Sequence, residues 1–199
     1  MTIVLLIEGK TEKAFLPALR RFLQHRLPGR MPRLDPDPYN GRIQKEAWLR
    51  RDVERHLRSS ADAVVALSDV YTGSGDFADA ADVKRKMRAW VGPNERFFPH
   101  AAQYEFEAWL LPYWDEIQRL AKHTRTAPSA KPELVNHINP PSARISEIYR
   151  VGKSGRSYVK VREAVRILRD KDLSVAAEAC PELKEFLNTI LLLCGGELM

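Results

Sequence analysis

The stretch Thr2-Ile3-Val4-Leu5-Leu6-Ile7-Glu8-Gly9 decides the fold: an uncharged, mostly apolar run stops abruptly in a carboxylate and a glycine. With no polar residue at every second position, such a run reads as a strand buried on both faces. Strands of that kind belong to parallel sheets, and α/β sheets bind ligands just beyond the strands' carboxyl ends. Glu8 therefore falls where a metal ligand or a general base is useful. Gly9 supports that reading, because glycine lets the backbone turn sharply and approach a ligand. Ala63-Val64-Val65-Ala66-Leu67-Ser68-Asp69 has the same form and also ends in an acid. Two strands that bring carboxylates to one sheet edge can hold one Mg²⁺, an ion that needs few protein ligands and keeps several waters.

Working outward, residues 11–26 have helical periodicity, with Thr11 as the expected N-cap and Phe15, Leu19, Phe22 and Leu23 as the apolar face. Residues 30–41 are rich in Pro, Asp and Asn and read as a loop, with room for a short strand near Arg33-Leu34. Residues 43–57 read as a strongly charged helix anchored by Ala47, Trp48, Val53 and Leu57. Residues 72–75 form a turn, and residues 80–90 a basic helix. Arg96-Phe97-Phe98-Pro99 reads as a short strand, and a helix opens at Glu105. The alternation of strands and helices predicts an α/β domain with a mainly parallel sheet. Beyond Pro112 no segment reads as a strand. Residues 124–141 read as a surface loop, and residues 142–149, 158–169, 174–179 and 182–193 as helices.

A chain of 199 residues, 44% of them hydrophobic, can bury a real core. No apolar run reaches the roughly 18 residues needed to cross a bilayer, and Glu8 interrupts the first apolar stretch, against a secretory signal. Cys180 and Cys194 have no metal-ligand spacing and read as reduced, small buried side chains of a cytoplasmic protein with no membrane partner. The net charge of +6 and pI near 9.4 suit a polyanion partner. Basic residues crowd positions 42–58 and 144–171, so the acids at the strand ends are given a basic rim.

Four carboxylates are candidates for metal binding: Glu8, Asp69, Asp76 and Glu105. Each has a plainer reading. Glu8 is also an acid near a helix N-terminus, which the macrodipole favours by itself. Asp69 also opens a loop, Asp76 also suits a helix cap, and Glu105 with Glu107 also fits a helix start enriched in acids. Residues two apart point to different sides of a helix, so Glu105 and Glu107 converge only at a strand-to-helix junction. Other chemistries lack their patterns. Lys10-Thr11 is no phosphate loop, because Val4 stands where the motif needs glycine. The five histidines have no zinc spacing, and Ser68 and Ser154 lack a nucleophile elbow. Gly152-Lys153-Ser154-Gly155-Arg156 is a basic loop that follows no strand. Phe106 and Trp109 read as core.

At Glu8-Gly9 and Asp69 the chain resembles the Toprim domain, in which one strand ends in Glu-Gly and a later one in Asp-x-Asp. Tyr71 stands where the second aspartate belongs. A fuller likeness is to a Toprim-like family of bacterial proteins, often encoded beside defence-type ATPases and related to the overcoming-lysogenization-defect nucleases. It rests on Glu8-Gly9-x-Thr11-Glu12, then Asp69-x-Tyr71 followed by Asp76-Phe77, and on Glu105-Phe106-Glu107-Ala108-Trp109-Leu110. Pro140-Pro141-Ser142-x-Arg144-Ile145, then Tyr158 and Lys160, and lastly Cys180-Pro181 complete it. In that family Tyr71 is a family trait.

The resemblance implies a Toprim-like (Rossmann-like) α/β core over residues 1–112, with a helical extension over residues 113–199 packed on the same domain. It implies an Mg²⁺- or Mn²⁺-dependent nuclease or related phosphodiester-processing enzyme, with Glu8 and Asp69 catalytic. Lys10, Arg144 and Lys160 would contact nucleic acid, DNA ahead of RNA, and an ATPase would be a partner. Two other readings stay open: a non-catalytic nucleic-acid-binding or regulatory subunit on the same scaffold, and phosphoryl transfer on a small phosphate.

Overall fold

The structure is a computed structural model that describes residues 1–71, 75–128, 131–135 and 139–199. The turn expected at 72–75 lies outside the described residues except for Gly75. Among the described residues four strands, β1 (Thr2–Ile7), β2 (Arg33–Pro38), β3 (Ala63–Asp69) and β4 (Phe97–Ala102), form one sheet in the order β2-β1-β3-β4. All three pairings are parallel, so the expected α/β architecture is present. Helices α1 (Lys10–Arg26), α2 (Glu46–Ser59) and α3 (Ala80–Val91) make the crossovers. Beyond the sheet come a 3₁₀ segment (Phe106–Tyr113), α4 (Trp114–Ala121), a second 3₁₀ turn (Pro132–Leu134), and α5 (Pro141–Val151), α6 (Lys160–Ile167), α7 (Leu173–Ala179) and α8 (Pro181–Leu193).

The strand order places a topological switch between β1 and β3. From β1 the chain crosses to β2 on one side; from β2 it returns to the other. The two strands that read as buried on both faces are the central pair. Their side chains divide by parity. Ile3, Leu5, Ile7, Val65 and Leu67 join α1 and the C-terminal helices in one core, while Val4, Leu6, Val64 and Ala66 join α2 and α3 in the other. The first core mixes residues from both ends of the chain. Phe15 of α1 meets Phe106 at 5.5 Å and Trp109 at 6.1 Å between ring centroids, and Phe186 of α8 lies 5.9 Å from Trp109. Each such ring is worth roughly 1.5–3 kcal/mol when buried, so the cluster binds the C-terminal helices firmly to the sheet. Phe106 and Trp109 are core, as expected, and so is Cys180; Cys194 is half-buried and both thiols are free.

Several elements differ from expectation. β2 runs through Pro36 and Pro38, where only a short strand near Arg33-Leu34 was expected. Arg33 donates its N–H to Met1 O at 2.9 Å and Tyr39 donates to Ile7 O at 3.0 Å. Odd-numbered amides thus face β1, and the even-numbered prolines put their missing N–H on the open side of an edge strand. The cap of α1 is Gly9, not Thr11: Glu12 reaches back and accepts the Gly9 N–H at 2.9 Å. In α2 the buried stripe is Leu49, Val53 and Leu57, and the expected anchors Ala47 and Trp48 are exposed, Trp48 to 63%. Spacing of four residues selects that stripe, and it turns the neighbouring tryptophan outward. No helix among the described residues is long and apolar enough to cross a membrane.

Candidate functional site

Parallel register brings the two strand-end acids together. Ile7 pairs with Leu67, so Glu8 comes level with Ser68, and Asp69 follows one residue on. The buried Ser68 hydroxyl donates to Glu8 Oε1. Asp69 Oδ1 accepts the Phe106 N–H at 2.9 Å, which ties β3 to the start of the 3₁₀ segment. The Asp69 backbone also hydrogen-bonds to the Glu8 carboxylate.

Burial opposes ionisation here. It pushes the Glu8 pKa up to about 7 against the Ser68 hydrogen bond, with Glu12 adding to the rise. Asp69 is held well above the usual carboxylate range by burial first, then by Glu8, Glu12 and Glu107. Glu12 and Glu107 are themselves raised by burial. Four acids thus come near one another in low-dielectric surroundings at the switch point, where α/β sheets place ligands.

Lys160, the first residue of α6, answers part of this charge. Its Nζ lies 3.3 Å from Glu107 Oε2 and 3.5 Å from Glu105 Oε1. Burial lowers its pKa, but Glu107, Glu105 and Asp69 outweigh that and the net shift is upward. Glu105 and Glu107 converge because Glu105 is still extended and the helix begins only at Phe106. Glu105 Oε2 also accepts the Ser142 N–H at 3.0 Å, and the Tyr158 hydroxyl donates to Glu107 Oε1 at 3.3 Å.

The remaining candidates lie around this centre. Asp76 pairs with Lys45 at 2.7 Å and Arg42 at 3.8 Å, and Arg42 also lowers the pKa of Glu8. Arg144, two residues from Ser142 on α5, has a buried Nε without a hydrogen-bond partner among the described residues. Lys10 is exposed at the start of α1. Among the described residues no group of three or more His, Cys, Asp or Glu is placed to hold a metal ion. The nearest donor set is the Glu8–Asp69 carboxylate pair, which would suit an ion that completes its shell with water.

Sequence reasoning gave no role to Glu12 or Ser68, and it weighed Glu107 only beside Glu105, which it preferred. Glu12 had a local signal, since a glutamate three residues past a cap position is a capping-box mark. The pairing of Glu107 with Lys160 had none, because the two stand 53 positions apart.

The arrangement defines an α/β protein with a half-buried acid pair at its switch point. The chain belongs to the family described as "Domain of unknown function (DUF4276)", which matches residues 7–191. No curated protein matches it. Among solved structures it is similar to the C-terminal region of the Burkholderia pseudomallei OLD protein, at 12% identity and a TM-score of 0.46, covering 93% of this chain and 98% of that one. It is also similar to the C-terminal region of the Xanthomonas campestris pv. campestris OLD protein, at 14% identity and a TM-score of 0.43, covering 94% and 97%.

Proposed function

We propose that the protein is a metal-dependent nuclease, or a related phosphodiester-processing enzyme, of the Toprim type. The observation that carries this reading is the Glu8–Asp69 pair: two acids at the ends of adjacent parallel strands, both resisting ionisation. Glu8 and Asp69 would hold Mg²⁺ or Mn²⁺, and the bound ion would polarise a phosphoryl oxygen and offset its charge. Glu8, whose carboxyl is raised by burial in the metal-free protein, would be ionised by a bound cation and could then take a proton from an attacking water. The Ser68 hydroxyl would hold the Glu8 carboxylate in place through Oε1. The guanidinium of Arg144 and the ammonium of Lys160 would meet phosphate oxygens, a role guanidinium and ammonium groups both fill. Asp76 and Glu105 support the site from outside the pair, Asp76 by holding Arg42 and Lys45 in place.

A second reading has its own support. Lys160 already places a cation among the acids, and Tyr71 stands where the Toprim pattern has its second aspartate. A scaffold that neutralises its own crevice fits a nucleic-acid-binding subunit without catalysis.

Cleavage of supercoiled plasmid, single-stranded DNA and RNA, in Mg²⁺, Mn²⁺ or EDTA, separates the two. The nuclease reading expects metal-dependent cleavage, lost by a factor of roughly 10² or more in Glu8→Gln and Asp69→Asn with binding retained. Absence of cleavage with every metal, beside intact nucleic-acid binding in Glu8→Gln, overturns it in favour of the binding subunit.

A further inference from the structure

The exposed tryptophan of α2 has no packing role. Trp48 is 63% exposed, three residues into a helix whose core stripe lies elsewhere. One face of its indole holds the Arg51 guanidinium, 5.5 Å from the ring centroid. Arg51 makes no ion pair among the described residues, unlike Arg55, which is tied to Asp37 and Asp52, and Arg58, which is tied to Glu54.

The location adds meaning. Helix α2 starts where β2 leaves the sheet at its carboxyl edge. The intervening loop is pinned to that edge, because Gly41 donates its N–H to Glu8 O at 2.8 Å. Lys45 is the N-cap residue of α2, and it shares Asp76 with Arg42, whose charge reaches Glu8. Arg42, Lys45, Trp48 and Arg51 therefore form a continuous path from the acid crevice onto the helix, covering about 9 Å of helix axis from Lys45 to Arg51.

We propose that this path is a docking surface for single-stranded DNA, with an unpaired base stacked on Trp48 and phosphates met by Arg51, Lys45 and Arg42. This rests on the nucleic-acid reading of the acid site and names the strand it takes. Stacking platforms flanked by basic side chains are how unpaired strands are held without sequence preference, since every base has a π-face. A duplex hides those faces and offers phosphates alone. The path presents a ring and cationic donors; its acidic neighbours Asp37, Asp52 and Asp76 are already paired to basic side chains, which leaves exposed Glu46 as the carboxylate beside it.

The test is anisotropy of a labelled oligo(dT) in EDTA, with wild type, Trp48→Ala, Trp48→Phe and Arg51→Ala. Trp48 is the exposed member of the four tryptophans, so its emission should be quenched as the strand binds. Trp48→Ala should weaken binding roughly ten-fold, Trp48→Phe should restore most of it, and Arg51→Ala should lower the slope of log affinity against log salt by about one. The exposure of Trp48 and Arg51 makes all three variants safe for folding, which circular dichroism checks. Unchanged affinity in Trp48→Ala, tighter binding of the matching duplex, or a Trp48-dependent hold on oligo(U) alone overturns the docking surface and leaves the acid-site reading standing. No nucleic-acid binding by wild type brings both down.

Discussion

Asp69 is a charge that the fold resists. Burial and three neighbouring acids oppose its ionisation, while its Oδ1 does structural duty for the Phe106 amide. Asparagine keeps that acceptor and removes the charge. Asp69→Asn is therefore expected to raise metal-free stability by about 1 kcal/mol while removing activity, the trade expected of a strained functional site; urea melts in EDTA check it. Lys160 is the converse case. Glu107 is 1% exposed and leans on that one ammonium, which is itself about half exposed. Lys160→Met should cost about 1–2 kcal/mol near neutral pH, discounted for that exposure, and Glu107→Gln in the same chain should recover most of it. A double-mutant cycle reads the coupling directly.

At the scale of elements, the join between α4 and α5 tolerates no side chain. A Cβ on Gly152 would lie 2.1 Å from the Ala121 carbonyl oxygen, so a backbone must move. Gly152→Ala should destabilise by about 2–3 kcal/mol, the upper range for forced overpacking, visible as a lower denaturation midpoint. The basic loop that follows thus starts from a packing constraint, which its glycine-rich composition alone does not reveal. Legibility at this scale follows how local each signal is. β1 and β3 were plain because strands buried on both faces leave continuous apolar runs. β2 was hidden because an edge strand accommodates Pro36 and Pro38 on its open side. Trp48 read as an anchor because periodicity gives the buried face only after the helix start is known, and α2 starts at Glu46 rather than Ile43. Glu8 and Asp69 were found because strand ends in a parallel sheet are local features; Glu107 and its lysine were not paired, because only the packing of α6 against the 3₁₀ segment brings them together.

Across the whole molecule, the two cores meet different chemistry. The edge strand β4 packs against α3 and α8 through His100, which is 2% exposed and whose Nδ1 has no hydrogen-bond partner among the described residues. Burial lowers its pKa to about 4, against Glu185 and with Lys84 and Arg88. The unfolded chain binds that proton near pH 6.5 and the fold only near 4, so stability is complete above about 6.5 and falls as pH drops toward 4, by up to about 3 kcal/mol. His100→Phe should flatten the acid limb of a stability-against-pH profile if its ring is accommodated beside Phe186. The other feature of the sheet is its switch point, where Glu8 and Asp69 would hold a metal ion. Calorimetric titration of Mn²⁺ into the protein, beside Glu8→Gln and Asp69→Asn, examines that site. Saturable binding to the wild type, lost in both folded variants, is expected; equal binding in all three proteins, or none in the wild type, would rule the metal site out.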